Sequence, residues 1–111
     1  MIFKAAVIQD SPVLFNLQLT LDKVESITNE ASSNGASLVV FPEAFISAYP
    51  KGLDFGATVG SRTSKGRKDF LHYYNSSLDL NSNEFIKLLN IAKKNKVFLV
   101  IGVVEKSSGT L

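Results

Sequence analysis

Three short apolar runs, each closed by a breaker, restrict what this chain can fold into more than any other feature. Residues 2–9 read I-F-K-A-A-V-I-Q, apolar at every position from Ala5 to Ile8, and Asp10, Ser11 and Pro12 interrupt them. Residues 37–41 read S-L-V-V-F and end at Pro42, which cannot donate to a sheet ladder. Residues 97–104 read V-F-L-V-I-G-V-V and give way to the turn-forming Ser107, Ser108 and Gly109. Short runs without polar alternation suit strands buried on both faces, as in parallel sheets.

The segments between them carry a different period. From about Phe15 to Asn34, Leu17, Leu21, Val24, Ile27 and Ala31 recur at spacings of four, three, three and four. That spacing puts them on one stripe of a helix, with Asp22, Lys23, Glu25, Ser26, Asn29 and Glu30 mostly opposite. Asn34-Gly35 is a suitable stop, because both residues tolerate a left-handed backbone. The spacing predicts a second long helix over Asn83 to about Asn95, capped by Ser82, with Phe85, Leu88, Leu89 and Ala92 as its stripe. Lys93, Lys94 and Lys96 near its end suit the helix dipole. Residues 44–80, punctuated by Gly52, Gly56, Gly60 and Gly66, read as a long loop of the kind that is usually functional or mobile. A short helix from Arg67 to Asn75 is expected within it.

The order is thus strand, helix, strand, long loop, helix, strand, which argues for an α/β fold with mainly parallel strands. Coverage is the difficulty. Three strands apolar on both faces have only two long helices to hide them. If both helices lie on one side, the other side of the sheet is bare, forgoing ~25 cal/mol for each Å² of apolar surface left wet. Further chain or another subunit is expected to cover it.

Composition excludes several classes. The 111 residues suffice for a single domain, and 45% hydrophobic with 20% charged residues is not a disordered composition. A net charge of +2 points to neither nucleic acid nor an anionic membrane as partner. No apolar run approaches the ~20 residues of a membrane span, and the apolar stretch near Met1 is too short for a secretory signal, so a cytoplasmic address is expected. The chain has no cysteine, which removes disulfides, thiolate metal sites and a cysteine nucleophile from within it.

V-V-F-P-E-A-F, Val39 to Phe45, carries the main chemical signal. A carboxylate directly after a buried strand stands at the strand's C-terminal end, the edge of an open α/β sheet where ligands bind. The rigid strand would hold Glu43, and Phe41, Ala44 and Phe45 could desolvate it and so tune it as a general base. The plain alternative is a solvated glutamate that ends a strand. Two look-alikes carry nothing. Asp54-Phe55-Gly56 lacks the loops that accompany the kinase triplet, and Ser61 to Lys68 departs from a phosphate loop at its first glycine and after Gly66.

Taken in order, these motifs resemble the nitrilase branch of the carbon–nitrogen hydrolases over the whole chain. K-A-A-V-I-Q resembles the family's first strand, and N-G-A-S-L-V-V-F-P-E-A-F leads to the position of the family's catalytic glutamate, Glu43. I-S-A-Y-P-K-G resembles the stretch that follows it. G-S-R-T-S-K-G-R-K-D-F-L-H-Y-Y, Gly60 to Tyr74, resembles the G-x-R…G-R…F…Y pattern of nitrilases, and V-F-L-V-I-G-V-V-E the next core strand. The resemblance implies the N-terminal part of an α-β-β-α sandwich, a single incomplete domain over 1–111 that covers roughly the first third of such an enzyme. It implies a Glu-Lys-Cys centre in which cysteine attacks a nitrile or amide carbon, glutamate is the base and lysine stabilises the charged transition state, with no metal or organic cofactor. Only Glu43 carries over as catalytic; the lysine and cysteine come from later strand ends in the family. Tyr49 matches an aromatic near the family's pocket and is the candidate for substrate binding, against the alternative of packing on Pro50.

The resemblance further implies a small nitrile or amide substrate and a homo-oligomer at full length. Arg62, Lys65, Arg67 and Lys68 are read as a solvated face or a subunit contact, and His72 as structural or solvated. The competing classes are a non-catalytic α/β module that binds a partner through its apolar sheet face, and a small nucleotide-binding domain. Against the latter stands the lack of a glycine-rich loop after the first strand.

Overall fold

A computed structural model describes residues 1–56 and 62–111. In chain order the elements are β1 (Ala5–Val7), α1 (Leu17–Ser33), β2 (Leu38–Val40), α2 (Ser64–Asn75), α3 (Asn83–Asn95) and β3 (Phe98–Val100). The three strands form one parallel sheet in the order β1-β2-β3, with Ala6, Val39 and Leu99 in register across it. This is the expected α/β arrangement. The regular strands are shorter than the apolar runs that announced them. Hydrogen bonds continue past their ends, from Ile8 N to Val40 O and from Phe41 N to Val100 O, both at 2.8 Å.

The helix boundaries follow local chemistry. Asn16 caps α1, its side chain accepting from Leu19 N at 3.0 Å, and the helix stops at Asn34 with Gly35 left-handed behind it. Ser82 caps α3 by accepting from Phe85 N, with Glu84 in the first turn and Lys93 and Lys94 in the last, where each charge opposes the helix dipole. This helix ends on a left-handed Lys96 rather than on glycine. The helix in the long connection begins earlier than Arg67, because the Thr63 hydroxyl accepts from Gly66 N and starts α2 at Ser64. The described part of residues 44–80 is also less irregular than its glycines suggest, since Ile46 and Leu78 bridge to Val103 and Glu105 beyond the end of β3.

Helices α1 and α3 lie side by side on one face of the sheet. Leu21, Val24 and Ala31 of α1 meet Leu88 and Ile91 of α3 over Val39, with Ala6, Ile8, Leu99 and Ile101 packed around them. Thr28, absent from the expected stripe, is buried as well, while Ile27 lies at its margin. Asn95 Nδ2 donates to Asn29 Oδ1 at 2.8 Å and Ser32 Oγ to the Asn95 carbonyl at 3.0 Å, locking the two helices at one end.

The strands are therefore buried on one face, not on both. The residues alternate with the core-facing ones, so Val7, Val40 and Val100, and Ala5, Leu38 and Phe98, share the opposite face. There Val7 is 80% and Phe98 79% exposed. Among the described residues nothing lies over this face, which is the bare side that counting helices against strands anticipated.

Candidate active site

Parallel strands bring all their C-terminal ends to one edge, and β2 is the central strand of the three. Glu43 follows it after Pro42, so the carboxylate stands at the middle of the edge where open α/β sheets bind ligands. The turn that carries it is fastened at both ends to the continuation of β3. Gly102 N donates to Pro42 O at 3.3 Å, Ile46 N donates to Gly102 O at 3.2 Å, and Val104 N donates back to Ile46 O.

Aromatic packing anchors the same turn from below. Phe41 and Phe45 bracket Glu43 in sequence, both are buried, and their ring centroids are 5.1 Å apart at 60°. The chain turns sharply between them. Ala44 has φ of +46° and Ala48 of +90°, left-handed values that cost a non-glycine residue about 1 kcal/mol or more and persist only where the surroundings impose them.

The desolvation expected at Glu43 is not what these residues provide. Phe41 continues the alternation of β2 and points with Val39 into the core, and Phe45 joins it there, so the two rings lie beneath the turn and not around the carboxylate. The Glu43 side chain is exposed. Sequence proximity mistook neighbours along the chain for neighbours in space.

Beyond the turn, a buried hydroxyl cluster ties residues 46–48 to the end of α2. Ser47 Oγ lies 3.2 Å from Ser77 Oγ, and the Ser77 and Ser76 hydroxyls both donate to the Tyr73 carbonyl. Burial pushes the Tyr73 phenol above its ordinary pKa of 10.0, against the opposing effect of a hydrogen bond from Ser47, while the nearby Tyr49 adds to the rise. The folded chain thus keeps this phenol neutral at a pH where the unfolded chain ionises it. Its contribution to stability is complete below pH 10.0 and is lost as pH rises through the folded value. Urea unfolding of Tyr73→Phe at about pH 9 and about pH 11 is expected to show a smaller alkaline loss of stability than the native chain. An unchanged loss would remove Tyr73 as its source.

Tyr49 itself is 67% exposed on the segment after this cluster.

The glycine- and arginine-containing stretch proves to be a packing device over its described part; Gly60 and Ser61 lie outside the described residues. Gly66 lets α2 rest on the preceding loop, because a Cβ there would come 2.1 Å from the Phe55 carbonyl. Phe55 then sits edge-on to Phe70 and stacks on Tyr73, each centroid 5.4 Å away. Sequence reasoning gave Phe55 no role, and its only signal was an aromatic beside a glycine. Arg62, Lys65, Arg67 and Lys68 are exposed, and among the described residues none pairs with a carboxylate. His72 stacks on Phe15 at 5.7 Å.

A strand-end glutamate on a parallel sheet occurs in many folds, and comparison with known proteins separates them. The profile of one family, described as carbon-nitrogen hydrolase, matches residues 4–111. The chain belongs to that family. Among curated relatives, this hydrolase chain is 45% identical over 108 residues to a bifunctional nitrilase/nitrile hydratase, NIT4A, of Lupinus angustifolius, covering 97% of the chain and 31% of the relative. It is 42% identical over 109 residues to an arylacetonitrilase of Trametes versicolor, covering 97% and 34%. It is 39% identical over 109 residues to an aliphatic nitrilase of Sinorhizobium fredii, covering 98% and 35%. The carbon–nitrogen hydrolase chain thus resembles the nitrilase branch and spans about a third of the length of the curated relatives it matches.

Proposed function

We propose that this chain supplies the general base of a nitrilase-type hydrolase that converts a nitrile and two waters to a carboxylic acid and ammonia. The observation that carries the reading is Glu43 on the rim of the central strand, within a chain matched almost end to end by the carbon–nitrogen hydrolase family. In this reading Glu43 takes the proton from a cysteine thiol as its sulfur attacks the nitrile carbon, and a lysine stabilises the charge that develops. Both partners are supplied by residues outside the 111, which hold no cysteine. Tyr49, exposed on the segment after the turn, contacts the substrate through its hydroxyl. The names of the relatives favour nitriles over amides as substrate class. The reading includes a cytoplasmic address and a homo-oligomer, with the basic face of α2 as a contact surface; no helix among the described residues is long and apolar enough to cross a membrane.

The purified chain, offered an aryl or aliphatic nitrile, is expected to release no ammonia, because a base without a nucleophile gives negligible turnover. Joined to the remaining two thirds of the lupin relative in place of that protein's own segment, it is expected to restore release. Turnover by the chain alone, or an inert hybrid that is folded, would overturn the proposal.

The exposed sheet face around Val7 and Phe98 favours one second reading, a non-catalytic module that binds a partner subunit through that face. A stable, monodisperse chain of 111 residues in sedimentation and thermal melts, together with an inert hybrid, would support it.

A further inference from the structure

We propose that Gly102 is a positioning residue for Glu43: the absence of a side chain at 102 sets where the carboxylate-bearing turn lies on the sheet edge. This rests on the reading of Glu43 as the base. The glycine is not needed for its backbone angles, because Gly102 is not among the positive-φ glycines Gly35, Gly52, Gly56 and Gly109. It is needed for room. A Cβ at 102 would lie 2.5 Å from Ala44 N, 2.7 Å from Glu43 Cα and 2.7 Å from Pro42 O.

All three are backbone atoms, so no rotamer change relieves the clash. The turn must move as a body, from 2.5 Å toward the 3.4 Å at which ordinary van der Waals contact begins. The same residue holds both ends of the turn through its own peptide groups, accepting from Ile46 N and donating to Pro42 O. A displacement at 102 is therefore passed directly to Glu43 and is not absorbed in a flexible loop. Ala44, already held at a φ of +46°, has little freedom to take it up.

A shift of about 1 Å in a catalytic group can cost about 100-fold in rate, while substrate contacts made elsewhere are kept. In the 111-residue chain, Gly102→Ala is expected to displace the amide resonances of Glu43, Ala44 and Ile46. Leu88→Ala, a cavity in α3 that leaves the backbone contacts of residue 102 intact, is expected to leave them in place. In the lupin hybrid, Gly102→Ala is expected to lower kcat about 100-fold with KM within about threefold, once activity is referred to the folded fraction. Leu88→Ala is expected to keep the native kcat on the same basis.

Unmoved turn resonances overturn the inference, and so does a Gly102→Ala hybrid with native kcat in which Glu43→Gln is inactive. An active Glu43→Gln hybrid overturns instead the reading of Glu43 itself. Should Gly102→Ala fail to fold, Ala44→Gly serves in its place. It suits the left-handed backbone at 44, loosens the same turn and is expected to lower kcat severalfold; an unchanged kcat there overturns the inference.

Discussion

Glu43→Gln in the hybrid hydrolase is expected to lower kcat/KM for nitrile hydrolysis by about 10²–10⁴-fold, the range a positioned general base supplies. Glutamine keeps the shape of the side chain and can still hydrogen-bond, but it cannot take up the thiol proton. The substitution separates chemistry from folding unusually well here. Glu43 is exposed, and the buried parts of its turn are Phe41 and Phe45, so stability should change by no more than about 0.5 kcal/mol. Initial rates of ammonia release together with a thermal melt measure both quantities on one preparation. A Gln variant that retains native activity would mean the strand-end carboxylate is a bystander. An inactive variant that has also lost its fold would mean the turn is more than a carrier for the base.

Phe45→Ala is expected to cost about 3–5 kcal/mol, the loss typical of emptying a large aromatic site in a packed core. Phe45 is 1% exposed, lies against the Phe41 ring and closes the turn onto the helix face of the sheet. A domain of this size is held by roughly 5–15 kcal/mol, and one with a bare sheet face belongs near the bottom of that range, so the variant should be largely unfolded at 37 °C. Phe98→Ala is the matched comparison: the same truncation, on a ring that is 79% exposed, should change stability by less than about 1 kcal/mol. Urea titrations of the two variants beside the native chain decide the matter. Equal losses at the two sites would show that the face carrying Phe98 is covered in solution, by a second copy or by another segment of chain.

Much of this fold was legible because it is written in local chemistry. The helix from Asn83 to Asn95 and its Ser82 cap follow from a hydroxyl placed before an amphipathic stripe, and the same holds for the end of α1 at Asn34-Gly35. The parallel sheet followed from alternation of strand and helix, and its bare face from counting helices against apolar strands. The position of Glu43 at the sheet edge followed from a proline that ends a strand. Apart from the start of α2, which the Thr63 cap sets three residues from Gly66, the misreadings concern residues whose roles depend on partners distant along the chain. The length of regular pairing depended on neighbouring strands, the burial of Phe41 and Phe45 on which way the turn closes, and the role of Phe55 on α2 folding back over it.

The sequence by itself thus determined the order and type of the elements and which carboxylate stands at the strand end, because periodicity, caps and breakers act over a few residues; the family came from the resemblance of its motifs to the nitrilase branch. Only the tertiary structure decided what surrounds that carboxylate. Whether a phenyl ring shields Glu43 or lies beneath it, and whether a glycine fifty-nine residues later must lack a side chain so that the turn can lie flat, are questions of atoms brought within van der Waals contact by the closing of the sheet. No pattern along the chain records such contacts, since they are made by elements that meet only once the fold has formed.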